Sequence, residues 1–372
     1  MPSPGKTCNR SEGVHRHRAR PASKVLFGCS RRRAACSGRK FWLDGCLSLN
    51  RWESCWVRLL APAIAMAALA TCVSAHARPA EVALTFDDVP GATLIEDQAY
   101  IDHINIELLA RLRKNHLSAT GFVNEGKLDE LNRTHQIQNL RRWLVAGMHL
   151  GNHTYSHESP NTLGAGAYIT DIARGARMTG ELLKRRHQHI RWFRHPYLET
   201  GSPLAVREQI DHWLAAHGYQ IAPVTMNAED WEFSAVYDDA VAHRDEAARK
   251  LIRQQYLAHF ERSIAWDRRA AKALFGRDIA YVLLLHATRL SADCMGEVAA
   301  LLRRDGLRPV TLTRAMADPV YRLPDRYSGS DGVDWLERWS LQKGVELPWD
   351  DFPEVPAAIQ QQYDLIEHDR TS

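Results

Sequence analysis

From residue 80 onward, short apolar runs alternate with longer stretches in which apolar residues recur every three to four positions. In "EVALTFDDVP" (81–90), Val82, Leu84 and Phe86 would line one side of a strand that ends in two adjacent carboxylates, Asp87 and Asp88. Ile101, Ile104, Leu108, Leu109 and Leu112 follow at helical spacing, and "SATGFVN" (118–124) reads as the next strand. The helical stretch "IQNLRRWLVAG" runs into "MHLGNHT"; a helix over about 167–187 precedes "IRWFRHPY". "LAVREQIDHWLAAHG" precedes "YQIAPVTMN", read as one strand, and a long charged helical stretch over about 237–276 leads to the buried strand "IAYVLLLH". One more helix leads to "RPVTLT". Such alternation predicts an α/β fold with a parallel sheet, open or closed into a barrel.

Reactive residue types fall at the strand ends. Asp87 and Asp88 end the first strand, and His153, Arg194 to Tyr197, Asp230 and His286 lie at or just beyond later ones. Parallel α/β folds bind ligands at the carboxyl ends of their strands, so these residues are expected to converge on one site. Beyond about 320, Trp335, Leu336 and Trp339 stand at helical spacing, which predicts a helix packed on the domain rather than a sugar-stacking platform.

"HTYSH" sets His153 and His157 four apart, a spacing at which two imidazoles can reach one ion; with a carboxylate they form a donor set that leaves positions open. Successive strand residues point to opposite sides, so Asp87 and Asp88 need not serve the same group: one can ligate a metal while its neighbour takes a proton from water. Arg194 in "FRHPY" can hold a carboxylate ionised and oriented. His286 emerges from an apolar strand, and Asp230 in "NAEDW" could fix its tautomer and favour its protonated form, as a general acid requires.

At 372 residues and 45% hydrophobic composition the chain can bury a full core, but its beginning reads differently. Residues 1–56 hold twelve Lys/Arg, three acids and five of the seven cysteines without sustained apolar periodicity. Arg58 then precedes a 15-residue uncharged run, "LLAPAIAMAALATCV", and "SAHA", which describes a secretory signal peptide cut after Ala77. The run is also short for a membrane span of about 20 residues. On this reading translation starts near Val57, residues 1–56 are a mis-annotated extension, and 57–77 are the signal; a lipoprotein signal with Cys72 acylated is the alternative. Removal of residues 1–77 takes away 13 of 48 Lys/Arg but only three of 44 Asp/Glu, leaving a net charge of −6. That balance removes the argument for a nucleic-acid partner. Cys294 alone survives, which excludes an internal disulfide framework and a multi-cysteine metal site.

The five ordered motifs "TFDD" (85–88), "HTYSH" (153–157), "RHPY" (194–197), "EDW" (229–231) and "LLH" (284–286) resemble those of the polysaccharide deacetylases, the NodB-homology or carbohydrate esterase family 4 domain, over roughly residues 80–315. The resemblance implies a distorted (β/α) barrel acting on an acetylated glycan. It implies Asp87 as general base and Asp88, His153 and His157 as ligands of a divalent metal, usually zinc, in some members cobalt or manganese. It further implies that Arg194 tethers Asp87, that the Tyr197 backbone N–H helps hold an oxyanion, and that Asp230 supports His286 as general acid. Trp231 and Leu284 would then shape the acetyl pocket. Three positions depart from the pattern: Val89 and Leu198 stand where glycine is common, and Asn227 replaces the first acid of the fourth motif. All three are expected in loops that shape the substrate groove. An amidohydrolase acting on a non-sugar amide, and a catalytically silent sugar-binding homologue, are the competing readings.

Overall fold

The computed structural model describes residues 79–371, which form one compact unit. The expected signal segment, Cys72 and the cleavage position after Ala77 lie outside the described residues. Among the described residues there are eight strands: β1 (Ala80–Val89), β2 (Ala119–Val123), β3 (His149–Asn152), β4 (Trp192–Phe193), β5 (Gln220–Ile221), β6 (Met226–Asn227), β7 (Tyr281–His286) and β8 (Leu307–Val310). The helices before and among them are α1 (Gln98–Lys114), α2 (Arg133–Val145), α3 (Pro160–Arg174), α4 (Arg177–Lys184), α5 (Leu204–Ala216), α6 (Asp230–Ala242) and α7 (Glu246–Phe275). Then follow α8 (Arg289–Arg304), α9 (Leu312–Ala315), α10 (Trp335–Lys343) and α11 (Ala357–Thr371).

The sheet runs β5-β4-β3-β2-β1-β7-β6 with parallel pairings, and β8 pairs with the start of β1. Val82 and Ala83 pair with both β7 and β8, so β8 occupies the edge of β1 that β2 takes further along. The two ends of the order, β5 and β6, are consecutive in the chain, with only residues 222–225 between them. That connection spans at most about 18 Å, so the sheet must curl until its edges nearly meet. The result is a distorted (β/α) barrel, open between β5 and β6.

Period-2 alternation along β1 sorts its side chains into two layers. Val82, Leu84 and Phe86 pack outward with helix residues such as Leu108, Leu112 and Trp143; Ala83 packs inward with Phe122, Trp192, Ala222, Val282 and Val310. Thr85 and Asp87 continue the inward row and are buried. An apolar floor therefore lies below, and polar groups rise toward the carboxyl end.

Three sequence-based elements break where the tertiary fold demands it. "YQIAPVTMN" is not one strand: β5 bonds β4 while β6 bonds β7, at opposite ends of the sheet. The expected helix at 167–187 is two, α3 and α4, broken at Gly175, where an added β-carbon would lie 2.3 Å from the Thr154 carbonyl carbon. The stretch 237–276 is likewise two helices, and Asp245 caps the second by accepting from the Ala248 N–H. Trp335, Leu336 and Trp339 lie buried in α10. Among the described residues no helix is long and apolar enough to cross a membrane.

Candidate active site

The inward row of β1 ends at the mouth of the barrel. Arg194, just after β4, is fully buried there and reaches both β1 and the segment that follows β5. Its Nε donates to the Ala222 carbonyl at 2.8 Å and its Nη2 to Thr85 Oγ1 at 3.1 Å, while Nη1 reaches both Asp87 oxygens at 3.3 and 3.2 Å. One guanidinium thus satisfies a carbonyl that lacks a strand partner and fixes Asp87. Burial pushes the guanidinium down from its ordinary range, and the Asp87 carboxylate opposes that shift. A planar fork suits this placement and a lysine would not. Thr85 also donates to the Leu283 carbonyl at 2.7 Å, so it locks the arginine to both neighbouring strands. Sequence reasoning gave Thr85 no role, although its place two residues before Asp87 on the same strand face was a usable signal.

Asp88 departs from strand geometry. The pleat alone would turn it outward beside Phe86, but its φ is 60°, and the β1–β2 register shifts between Phe86 and Val89. The carboxylate therefore swings back toward the mouth, and a carboxylate oxygen of Asp88 and ring nitrogens of His153 and His157 all lie within 4.8 Å of one another. Asp87 Oδ2 stands 3.8 Å from His153 Nε2, so both acids face one imidazole. The expected division between opposite strand sides is thus replaced by two acids on one pocket, separated by their partners.

The histidines come from a loop after β3 with a built scaffold. Asn152 Oδ1 accepts from the Thr154 N–H at 2.8 Å, Thr154 Oγ1 accepts from the His157 N–H at 3.1 Å, and Asp171 accepts from the N–H groups of Tyr155 and Ser156. Thr154 and His157 are left-handed, with φ of 65° and 61°. Each such residue costs roughly 1–3 kcal/mol, and the clustering of strain here points to function. His153 Nδ1 stands 2.9 Å from the Arg194 carbonyl, which as the donor side leaves Nε2 directed at the acids.

The group fits a divalent cation on its own chemistry. Asp88 Oδ1 is buried without a hydrogen-bond partner, with His157 Nε2 3.6 Å away. Burial works to raise the Asp88 pKa, but the surrounding His157, Lys127 and His153 outweigh it and hold the carboxyl well below its usual range. Burial drives His157 down to about 3, so its imidazole is neutral at ordinary pH. An ionised carboxylate and neutral imidazole form an N/O donor set of the kind that zinc accepts.

His286 stands beside Asp87 across the β1–β7 pairing. Its Nδ1 lies 2.8 Å from Asp230 Oδ1, and its backbone N–H donates to Asp230 Oδ2 at 2.8 Å. Burial opposes the imidazolium, but Asp230, together with Asp87 and Asp88, lifts its pKa to about 9. Asp230 is fully buried at the start of α6 and also accepts from Ser291 Oγ at 3.3 Å, a contact with no signal in the sequence. Trp231 stands edge-on to the His286 ring at 6.1 Å, and Leu284 packs with Leu198 and Val224. Tyr197 has φ 57° and Leu198 φ 58°, and the Tyr197 ring meets His157 edge-on at 4.6 Å.

Every residue expected at the site is therefore brought to this mouth. The three departures do not share one groove loop. Val89 is buried at the end of β1, against the close-packed Gly121 beside Trp143, and Asn227 lies in β6, where its Oδ1 accepts from the Glu229 N–H. Of the three only Leu198 lies in a loop beside the pocket.

Residues 75–222 match the family model described as polysaccharide deacetylase. A chitin deacetylase of Colletotrichum lindemuthianum is 28% identical over 156 residues, 42% of this chain and 54% of that protein, so the chain spans about half the length of this curated relative. Among solved structures, a family 4 carbohydrate esterase from Streptomyces lividans in complex with acetate shares 19% identity at a TM-score of 0.42, covering 64% of this chain and 97% of that one. A CE4 family pseudoenzyme from Bacillus anthracis shares 18% identity at 0.45, covering 65% of this chain and 66% of that one.

Proposed function

We propose, on the premise that residues 75–222 belong to the polysaccharide deacetylase family, that this chain hydrolyses the acetyl group of an acetylated glycan with release of acetate. The observation that carries this reading is the meeting, at one barrel mouth, of the Asp88–His153–His157 group, the arginine-held Asp87 and the Asp230-backed His286.

A divalent cation held by Asp88, His153 and His157, zinc being the best fit, would polarise the acetyl carbonyl and make water a competent nucleophile near neutral pH. Asp87, oriented by Arg194, takes a proton from the attacking water. The oxygen of that water adds to the carbonyl carbon, and the Tyr197 N–H donates to the resulting oxyanion. His286, held charged by Asp230, gives a proton to the leaving nitrogen as the carbon–nitrogen bond breaks. Trp231 and Leu284 bound the space for the acetyl methyl.

The deciding experiment measures acetate release from a panel of N- and O-acetylated glycans, with and without chelator and with zinc, cobalt or manganese restored. Chelator-sensitive acetate release supports the reading. Ammonia in place of acetate would assign the site to a non-sugar amide, and glycan binding without release would make the protein a binding homologue. Export with cleavage after Ala77 is also proposed, from the basic, apolar and small-residue pattern alone; N-terminal sequencing of the secreted protein tests it, and a mature chain retaining residues 1–56 would sink it.

The acid assignment has its own pH signature. In metal-free protein the His286 ring is expected to titrate near 9 by NMR. The raised value means that the proton is held below that pH and lost above it, so the rate should fall on the alkaline side. Asp230→Asn removes the main charge that raises the pKa and should move the titration to lower pH. An unchanged titration in that variant contradicts the pairing.

A further inference from the structure

The chain beyond the barrel crosses back over the site. Tyr197 and Leu198 are consecutive left-handed residues without being glycine, a conformation that surrounding contacts must impose. Those contacts come from residues 325–338. Arg338, in α10 and 1% exposed, donates from Nη2 to the Leu198 carbonyl at 2.6 Å and from Nη1 to Thr200 Oγ1 at 3.1 Å. Its Nε donates to the Val333 carbonyl at 2.9 Å, and Asp325 Oδ2 balances the charge 2.9 Å from Nη1. Gly332 lies so close above the loop that an added β-carbon would stand 1.6 Å from the Tyr197 carbonyl oxygen. Further along, Asn161 Nδ2 donates to the Ser330 carbonyl at 2.8 Å, while its Oδ1 accepts from the Ser202 N–H at 2.7 Å. The N–H of Trp335 donates to the Val224 carbonyl at 2.8 Å, which seats α10 on the wall shared with Leu198 and Leu284.

We infer that Arg338, with Gly332 closing the loop from above, is a positioning residue that holds the Tyr197–Leu198 turn against the catalytic mouth. This rests on the deacetylase reading, in which the Tyr197 N–H serves the oxyanion. A buried cation aimed at a strained carbonyl does what a glycine would otherwise do: it makes a left-handed backbone the stable one. Glycine tolerates that region without help, whereas leucine at 198 depends on the bonds that Arg338 supplies. The leucine side chain in turn packs on Val224 and Leu284, so the same turn sets one wall of the acetyl pocket.

The test compares wild type, Arg338→Met, Arg338→Lys and Gly332→Ala in the full chain for kcat and KM of acetate release, zinc affinity, and amide hydrogen exchange over residues 195–202. Expected are a kcat drop of tenfold or more, since displacements near 1 Å can cost about a hundredfold, little change in KM or zinc affinity, and faster exchange confined to that loop. Lysine should rescue poorly because it lacks the fork. In a Leu198→Gly background Arg338→Met should cost far less kcat than it does in wild type, because the glycine no longer needs the arginine. A wild-type kcat in folded variants, or an equal loss in the two backgrounds, overturns the inference. Should Arg338→Met not fold, Gly332→Ala perturbs the same turn at the neighbouring Tyr197 carbonyl without touching the buried charge and decides the matter. If wild type releases no acetate from any glycan, the deacetylase reading fails, and unchanged loop exchange in the variants would separately refute the positioning.

Discussion

Asp87→Asn is expected to lower turnover by about 10²- to 10⁴-fold, the usual contribution of a positioned general base, while zinc affinity stays close to that of the wild type. Asparagine keeps the shape of the carboxylate and can still accept from Arg194, but it cannot take a proton from water. The same change leaves the fully buried Arg194 without its counter-charge. Removing one partner of a buried pair costs on the order of 3–5 kcal/mol, which the remaining bonds to Ala222 and Thr85 would moderate. Urea denaturation read beside kcat separates the two effects. Turnover within tenfold of wild type in a folded, zinc-loaded variant would remove Asp87 from the base role.

His153→Ala acts on a different quantity. It should weaken zinc binding by more than the 10–100-fold typical of losing a supporting group around a metal site, because a direct donor is lost and only Asp88 and His157 remain. Calorimetric titration of metal-free protein reads this without reference to activity. Ligand binding to the native state adds stability as the logarithm of concentration over Kd, about 2.7 kcal/mol at a hundredfold excess. Zinc should therefore raise the melting temperature of wild type and leave His153→Ala almost unmoved. Equal stabilisation of both proteins would place the ion elsewhere. The pair of variants thus divides the two acids: one change spares the metal and loses turnover, the other loses the metal.

Where the sequence reading failed, it failed over distance. "YQIAPVTMN" has the composition of a strand, and nothing within it says that its halves bond opposite edges of a curled sheet. The break between α3 and α4 is equally invisible locally, because Gly175 is needed for the close approach of the Thr154 backbone rather than for its own conformation. Val89 reads as a loop substitution beside the acids, yet it completes the packing around Gly121 and Trp143. Arg338 lies beyond the segment that carries the motifs, so no pattern around it points to Leu198, 140 positions earlier.

By itself the sequence determined the alternation of strand and helix and the reactive residue types at the strand ends. Both follow from short-range periodicity: the pleat fixes which side chains share a face, and apolar runs fix where strands stop. Only the tertiary structure decided how those ends meet. The left-handed turn at Asp88 puts two adjacent acids on one imidazole, Arg194 joins the segment after β5 to β1 and so orients Asp87, and Arg338 bonds the Leu198 carbonyl of the turn that follows Arg194. Each depends on a carbonyl, carboxylate or imidazole supplied by a distant element. A buried donor must find its partner wherever the fold places one, and no local pattern states where that is.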